Sequence, residues 1–338
     1  MITPATENSA SPSAAYNAAH NGVVLFDLSD RTQIEITGAD RVRFLHGFTT
    51  NNIQRLKPGQ GCETFVTNLK GKVVAHVYVF CGENSLWLDG TPGQQKAVLG
   101  HLGKYVLIDD VQLVPQDNIR GELYVTGPLA AQLLQLEAGP TLCGQVTRET
   151  FGESFDIRRV DLLGHPGFLL SIPLTQVARV KLSMTALGVI EGTRELFEFL
   201  RIEAGFPQYG ADITDDNLAQ EVARTKSCIS FDKGCYLGQE TVARLDAMGH
   251  TNRELRRCAF ETDLVPAIGS PVFDADGIAE VGNITSVAKD DFREAAALSP
   301  RVVALGQIKR ASLQPDTVIT VKVEDRTVQG RVLGTSFS

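Results

Sequence analysis

The sequence lacks the patterns that would assign it at once to a membrane, metal-binding or nucleic-acid-binding class. No run approaches the roughly 20 uninterrupted apolar residues of a membrane-spanning helix. The six cysteines include no CxxC pair, which argues against a zinc finger or a disulfide framework in a chain of 338 residues. The formal net charge of −8 argues against a general nucleic-acid surface, because affinity for phosphate backbones comes mainly from clustered Lys and Arg.

The histidines form no recognisable set either. Four of them, His46, His76, His101 and His165, lie in separate segments without a carboxylate at a useful spacing. A structural role is therefore favoured for each, and no metal site is predicted. The first twenty residues contain no Lys, no Arg and no apolar run, which predicts a disordered tail over residues 1–20 that resembles neither a secretory signal nor a transit peptide. Reduced cysteines and the missing signal features predict a cytoplasmic protein.

The remaining composition is that of an ordinary soluble globular protein, with 43% hydrophobic and 21% charged residues. A chain of this length suits two or three compact units. From Gln33 to about Val114 the pattern predicts a strand, a helix, two strands joined by a turn at residues 68–71, a strand, a helix and a strand. A similar order recurs from Glu122 to about Ile190.

This repeated order predicts an α+β domain over residues 21–252 that contains two βαββαβ-like pseudo-repeats, with halves at about 21–118 and 119–192. A clear helix is predicted at 193–205, with Gly205 as its C-terminal cap. After Arg253 the sequence changes to short β-rich runs broken by Gly, Pro and Asp. These runs predict a separate C-terminal β-barrel over residues 253–338.

The most informative segment is Lys233-Gly234-Cys235-Tyr236-Leu237-Gly238-Gln239-Glu240, followed closely by Arg244. Glycines on both sides of the cysteine predict a tight loop that presents the thiol to a ligand or partner. A neighbouring lysine favours the reactive thiolate, although a single positive charge in water has a modest effect. From these residues alone, a packed free cysteine and a presented reactive thiol are equally acceptable interpretations of Cys235.

A second candidate lies at the end of the long predicted helix, in Arg201-Ile202-Glu203-Ala204-Gly205. Arg201 and Glu203 are about 200° apart on a helix, so one of the two is expected to point inward. A buried carboxylate requires a partner, and a flat heterocycle with adjacent N–H and amino donors is a good bidentate one. The residues alone favour a structural ion pair over ligand binding.

With these pieces in order, the chain closely resembles the YgfZ-type folate-binding proteins, which are related to the T protein (aminomethyltransferase) of the glycine cleavage system. The resemblance spans nearly the whole chain, and the block at residues 233–240 is its most specific part. The other matching motifs lie at residues 25–29, 36–40, 44–47, 50–51, 56–59, 201–205 and 209–212.

The resemblance implies two interlocked α+β halves and a C-terminal barrel, with tetrahydrofolate or a one-carbon derivative in a central channel. It implies that Glu203 holds the pterin ring and that Cys235 is important to the assembly or repair of iron–sulfur clusters, with its thiol acting at the folate site or at the interface with a client. Further cofactor contacts are predicted within or beside the matching motifs, at Arg201, Tyr209, Asp212, Asn51, Lys233, Gln239 and Arg244. The implied partners are iron–sulfur enzymes or the proteins that assemble their clusters.

One departure from the T protein concerns its catalytic aspartate, which lies in the strand that matches Val73-Val74-Ala75-His76-Val77. No aspartate is present there. Glycine-cleavage chemistry is therefore expected to be poor, since no carboxylate steers the proton. The first hypothesis is a folate-binding accessory protein for iron–sulfur enzymes. The alternatives are a folate-dependent aminomethyltransferase or demethylase that acts on an unidentified amine, and a folate-binding module without thiol chemistry.

Overall fold

The computed structural model describes residues 11–136, 140–293 and 302–334. Within them the chain forms three sheets and eight α-helices, and none of these helices is long and apolar enough to cross a bilayer. The helices are α1 Pro12–Asn21, α2 Arg41–His46, α3 Gln95–Leu102, α4 Ala130–Leu133, α5 Val177–Ala186, α6 Arg194–Ala204, α7 Thr225–Cys228 and α8 Gln239–Met248. The strands are β1 Val24–Asp27, β2 Thr32–Thr37, β3 Gly61–Thr67, β4 Val73–Cys81, β5 Leu86–Gly90, β6 Gln112–Pro115, β7 Arg120–Thr126, β8 Gln145–Thr150, β9 Glu153–Val160, β10 Gly167–Pro173, β11 Ile190–Glu191, β12 Arg253–Phe260, β13 Pro271–Phe273, β14 Glu280–Lys289, β15 Val302–Lys309, β16 Val318–Val323 and β17 Arg326–Val332.

The first two sheets have the same plan. The first has the order β3-β4-β5-β2-β6, and the second has the order β8-β9-β10-β7-β1-β11. Apart from β1, each strand of the second sheet has the position that is held in the first sheet by the strand whose number is lower by five. The inserted β1 pairs antiparallel with β7 and parallel with β11, although it precedes the first half in sequence. The two halves are therefore interlocked pseudo-repeats, and the expected α+β fold is confirmed.

A buried ionic cluster joins the two sheets. Asp89 on β5 accepts a 2.8 Å hydrogen bond from Arg31, whose Nε also lies 3.2 Å from Glu122 on β7. Arg158 on β9 approaches Asp89 at 3.7 Å and Glu122 at 3.4 Å. Burial and the neighbouring Asp89 raise the pKa of Glu122 well above its usual value, while both guanidinium groups oppose this shift. Two basic and two acidic side chains thus contact each other in the interior.

The six strands that follow form a closed barrel in the order β12-β15-β14-β13-β16-β17. The predicted C-terminal β-barrel is therefore confirmed. The short strand β13 was not one of the β-rich segments on which this prediction depended. The core of the barrel contains apolar side chains such as Phe260, Val272 and Ile284, all fully buried. Helix α6 packs against β14 and β15, so the end of the helix that carries Glu203 lies against the barrel.

The prediction of a disordered tail over residues 1–20 is wrong for its second half, because residues 12–21 form α1. Ser11 caps this helix by accepting the N–H of Ala14, and Pro12 occupies its first turn, where it loses no hydrogen bond. Ala15 and Ala19 are buried against the core. Small alanines give no obvious amphipathic stripe, which explains why the pattern was missed. Residues 1–10 lie outside the described residues.

Candidate functional site

Helix α6 positions the first group of predicted residues. Thr193 caps its start by accepting the N–H of Leu196, and Gly205 ends it with a φ of +80°, a left-handed conformation that favours glycine. Arg201 is the residue that points inward, with only 3% of its surface exposed. Glu203, nearly opposite, keeps 30% of its side chain exposed and is accessible to a ligand.

Arg201 and Asp212 contact each other and the barrel. Arg201 Nη1 donates to Asp212 Oδ2 at 2.8 Å and to the carbonyl of Phe206 at 2.7 Å. Asp212 also accepts the Thr285 hydroxyl at 2.6 Å, and Arg201 donates to Ser286 at 3.2 Å. These bonds connect the end of α6, the segment after it and β14. Arg201 and Asp212, which were both predicted to contact the cofactor, are hydrogen-bonded to protein groups in this structure.

Glu203 has a basic and aromatic environment. Its Oε1 accepts a 2.9 Å hydrogen bond from Arg293, and its carbonyl accepts one from Arg257 at 2.8 Å. The Arg293 guanidinium lies 5.8 Å from the ring centre of Tyr16 on α1. Burial raises the pKa of the Glu203 carboxyl above its usual 4.5, although Arg293 acts in the opposite direction.

A cavity of about 620 Å³ lies beside the end of α1. His20, His165 and Arg159 line it together with apolar side chains that include Leu136 and Phe168. The ring of His20 is 4.4 Å from that of Tyr16 and 6.1 Å from that of His165. The volume suits a small organic ligand, and the basic groups suit an anionic one.

The second group of predicted residues surrounds the Cys235 loop at residues 229–238. Cys235 is exposed to solvent, whereas Lys233 is buried. The Lys233 ammonium donates to the carbonyls of His46 at 2.7 Å, Asn51 at 2.9 Å and Thr49. It also lies 4.7 Å from the ring centre of Tyr236. Burial lowers the pKa of Lys233 to about 7, while the carbonyls and the aromatic ring favour the charged form.

The loop is also fixed by a close approach of main chains. The Leu237 N–H donates to Gly47, and the Leu237 carbonyl accepts the Thr67 hydroxyl at 2.6 Å. Gly238 has a φ of +87°, and a Cβ on it would lie 2.4 Å from the carbonyl of Asn68 in the β3–β4 turn. A larger residue does not fit there. Helix α8 begins directly after this contact, with Gln239 in its first turn and Arg244 exposed.

Replacing Lys233 by methionine is expected to loosen this loop. The change removes three hydrogen bonds that hold residues 229–238 against residues 46–51 and leaves their carbonyls without a donor. Backbone amides of the loop should exchange with deuterium at least tenfold faster, measured by mass spectrometry. Lys226→Met, the same change at an exposed neighbouring lysine, is the matched control. Equal exchange in the two variants would contradict the anchoring role.

Asn51 and Tyr209 connect the surrounding segments. The amide of Asn51 donates to the carbonyls of Glu63 at 2.9 Å and Ser227 at 2.8 Å. The hydroxyl of half-buried Tyr209 donates to the carbonyl of Val73 at 3.4 Å. The predicted site residues therefore separate into three sets: Arg201 with Asp212, Glu203 with two arginines, and the Cys235 loop with Lys233 and Asn51.

Sequence reasoning missed a buried centre formed by Glu63, His76, Arg224 and Cys228. His76 Nε2 lies 2.6 Å from Glu63 Oε1, and Arg224 binds both oxygens of the same carboxylate. Cys228 Sγ lies 3.8 Å from His76 Nε2. The pKa of Glu63 is held well below its usual value by Arg224 and His76 against the effect of burial. Cys228 is fully buried and faces His76, whereas Cys235 is exposed.

The comparisons with known proteins agree with this architecture. The profile of the family described as the GCVT N-terminal domain matches residues 6–233, more than half of the chain. The chain belongs to this family. In fold, it is similar to the glycine cleavage system aminomethyltransferase T from Bartonella henselae, with a TM-score of 0.83 and 20% identity over 97% of this chain and 89% of that one.

Two relatives carry names that refer to transferases. A chloroplastic protein of Arabidopsis thaliana that is named a transferase is 31% identical over 280 residues, 80% of this GCVT-family chain. An aminomethyltransferase of Deinococcus deserti is 27% identical over 209 residues, 60% of this chain. The matches span 63% and 58% of the length of these two relatives.

Proposed function

We propose that this protein is a YgfZ-type, tetrahydrofolate-binding accessory protein that supports the assembly or repair of iron–sulfur clusters in client enzymes. The observation that carries the proposal is the Cys235 loop, in which a buried lysine and a close glycine contact fix the main chain while the thiol remains exposed. A rigid loop that presents a thiol suits a step on a partner protein or at its interface.

Folate binding is supported by the family and by the surroundings of Glu203. An accessible carboxylate can accept paired hydrogen bonds from the N–H and amino groups of a pterin. The nearby cavity with His20, His165 and Arg159 provides basic groups for the negatively charged end of a folate. Glu203 is the proposed pterin ligand. Arg201 and Asp212 are proposed to act through Glu203, since their hydrogen bonds fix the end of α6 that carries Glu203.

Strand β4 favours the accessory function over glycine cleavage. The strand contains no aspartate. His76, the titratable residue of β4 nearest the position expected for the catalytic aspartate of the T protein, is hydrogen-bonded to Glu63. A base for proton transfer must reach the reacting nitrogen, and a buried imidazole that shares a proton with a carboxylate is poorly placed for this.

The test combines a binding and a cellular measurement on Cys235→Ala. The variant should bind tetrahydrofolate in calorimetry as tightly as the wild type, because the thiol is not a pterin ligand in this proposal. In a deletion strain it should fail to restore the activity of iron–sulfur enzymes. Full restoration would refute the thiol role, and an absence of tetrahydrofolate binding by the wild-type protein would refute the folate role.

A second candidate function is a folate-dependent aminomethyltransferase or demethylase. The names of the relatives favour it, because they belong to transferases. The purified protein would then form methylene-tetrahydrofolate from a supplied amine, with turnover that depends on folate. Turnover that survives Cys235→Ala would favour this function over the accessory one.

A further inference from the structure

The buried centre beside the predicted site has the donor set of a metal site. Glu63, His76 and Cys228 each offer one ligand atom, and these three atoms lie within 4.8 Å of one another. We propose that they bind a divalent cation of the zinc class. The proposal is independent of folate binding and of the thiol step at Cys235.

Three elements bring the donors together. Glu63 pairs with Tyr78, and Phe65 pairs with His76, so Glu63 and His76 are diagonal neighbours on one face of the β3–β4 hairpin. Cys228 ends the short helix α7, where its carbonyl accepts the hydroxyl of Thr50 at 2.6 Å. The ligand atoms are therefore positioned by a hairpin and a helix end, not by one mobile loop.

The arrangement differs from a proton relay. In a thiol–imidazole–carboxylate relay the acid contacts one ring nitrogen and the thiol the other. Here both Glu63 and Cys228 face the same atom, Nε2 of His76. Donors that converge on one point, instead of forming a chain, are typical of ligands around a metal ion.

Two of the three distances between the ligand atoms need only a small adjustment. Zinc bond lengths and a tetrahedral angle require about 3.5 Å between sulfur and nitrogen ligands and about 3.4 Å between nitrogen and oxygen ligands. The observed Sγ–Nε2 distance is 3.8 Å, and the Nε2–Oε1 distance is 2.6 Å. A movement of Oε1 by roughly 1 Å or less would therefore open the site. Cation binding at Nε2 requires the neutral imidazole of His76 to carry its proton on Nδ1, and the thiol proton of Cys228 is released to solvent.

The surrounding residues support ligands in these orientations. Arg224 donates to both oxygens of Glu63, from Nε to Oε1 and from Nη2 to Oε2, and so fixes the carboxylate with Oε1 directed at His76. The rings of Phe65 and Phe206 lie 5.2 and 5.6 Å from that of His76. Such outer contacts fix ligand geometry in metal sites. Three protein ligands leave a fourth tetrahedral position for water or a small anion.

The experiment uses Co²⁺ as a spectroscopic probe and Zn²⁺ as its competitor. The full-length protein is treated with a chelator and then refolded with either metal, because the site is buried. We expect one equivalent of bound metal, a thiolate-to-cobalt charge-transfer band, visible bands of tetrahedral cobalt, and displacement of cobalt by zinc.

Two variants and two controls locate the metal. Cys228→Ser should lose the charge-transfer band, and His76→Asn should bind at least about 100-fold more weakly, beyond the loss expected for a residue that contacts only a metal ligand. Cys258→Ser, at a buried cysteine in the barrel, and Cys235→Ser, at the exposed one, should bind like the wild type. The proposal fails if the refolded wild-type protein binds no metal, or if the band persists in Cys228→Ser.

Discussion

Asp89→Ala is expected to lower the free energy of unfolding by about 3–5 kcal/mol, the cost of breaking a buried ion pair. Asp89 is fully buried, and its removal leaves Arg31 and Arg158 with Glu122 as the remaining carboxylate of the cluster. An uncompensated guanidinium in the interior cannot recover its hydration. Urea unfolding followed by circular dichroism measures the change.

Asp216→Ala is the matched control, because Asp216 forms an ion pair with Lys72 at the surface. Such pairs are screened by water, so the unfolding midpoint should be unchanged. Equal midpoints for the two variants would show that the cluster between the sheets contributes no more than a surface contact.

Glu203→Gln should weaken tetrahydrofolate binding by about tenfold to a hundredfold, the value of a hydrogen bond to a charged acceptor. The amide keeps the size of the side chain but removes the negative charge that faces the pterin donors. Isothermal titration calorimetry measures the affinity. Glu195→Gln, at an exposed position on the same helix, should bind like the wild type, and unchanged affinity in Glu203→Gln would end its assignment as pterin ligand.

The pH dependence of the difference in tetrahydrofolate affinity between the wild type and Glu203→Gln provides a second readout. Because burial raises the pKa of Glu203, its carboxylate is protonated at a higher pH than an ordinary glutamate with a pKa of 4.5. The advantage of the wild type over Glu203→Gln is therefore fully present above the raised pKa and disappears as the pH falls through it. Effects of pH on the pterin itself are common to both proteins and cancel in the ratio.

Local patterns predicted most of the fold, since strand and helix periodicities depend on neighbouring residues. The C-terminal cap of α6 at Gly205 is an example. The insertion of β1 between β7 and β11 was not deducible from periodicity, because pairing between Val24 and Ile190 depends on sheet assembly far along the chain. The resemblance to a known family predicted that the two halves interlock, which the periodicity could not do.

The candidate site was predicted less completely. An exposed Cys235 was one of the two interpretations that its glycine neighbours allowed, and the direction of the Lys233 ammonium depends on carbonyls nearly 190 residues away in sequence. Glu63 and His76 had one usable signal, since a hairpin with its turn at residues 68–71 makes them diagonal neighbours. Nothing in the sequence links Cys228 to them, because that contact needs the folded position of α7.

The position of β1 also has a consequence for biosynthesis. Its four residues leave the ribosome long before their parallel neighbour, because β11 begins more than 160 residues later in the chain. Until then one edge of β1 lacks its backbone partners, and a nascent segment of this kind is open to mispairing or chaperone capture. Loss of the amino-terminal strand would accordingly damage the later half of the protein, not the earlier one.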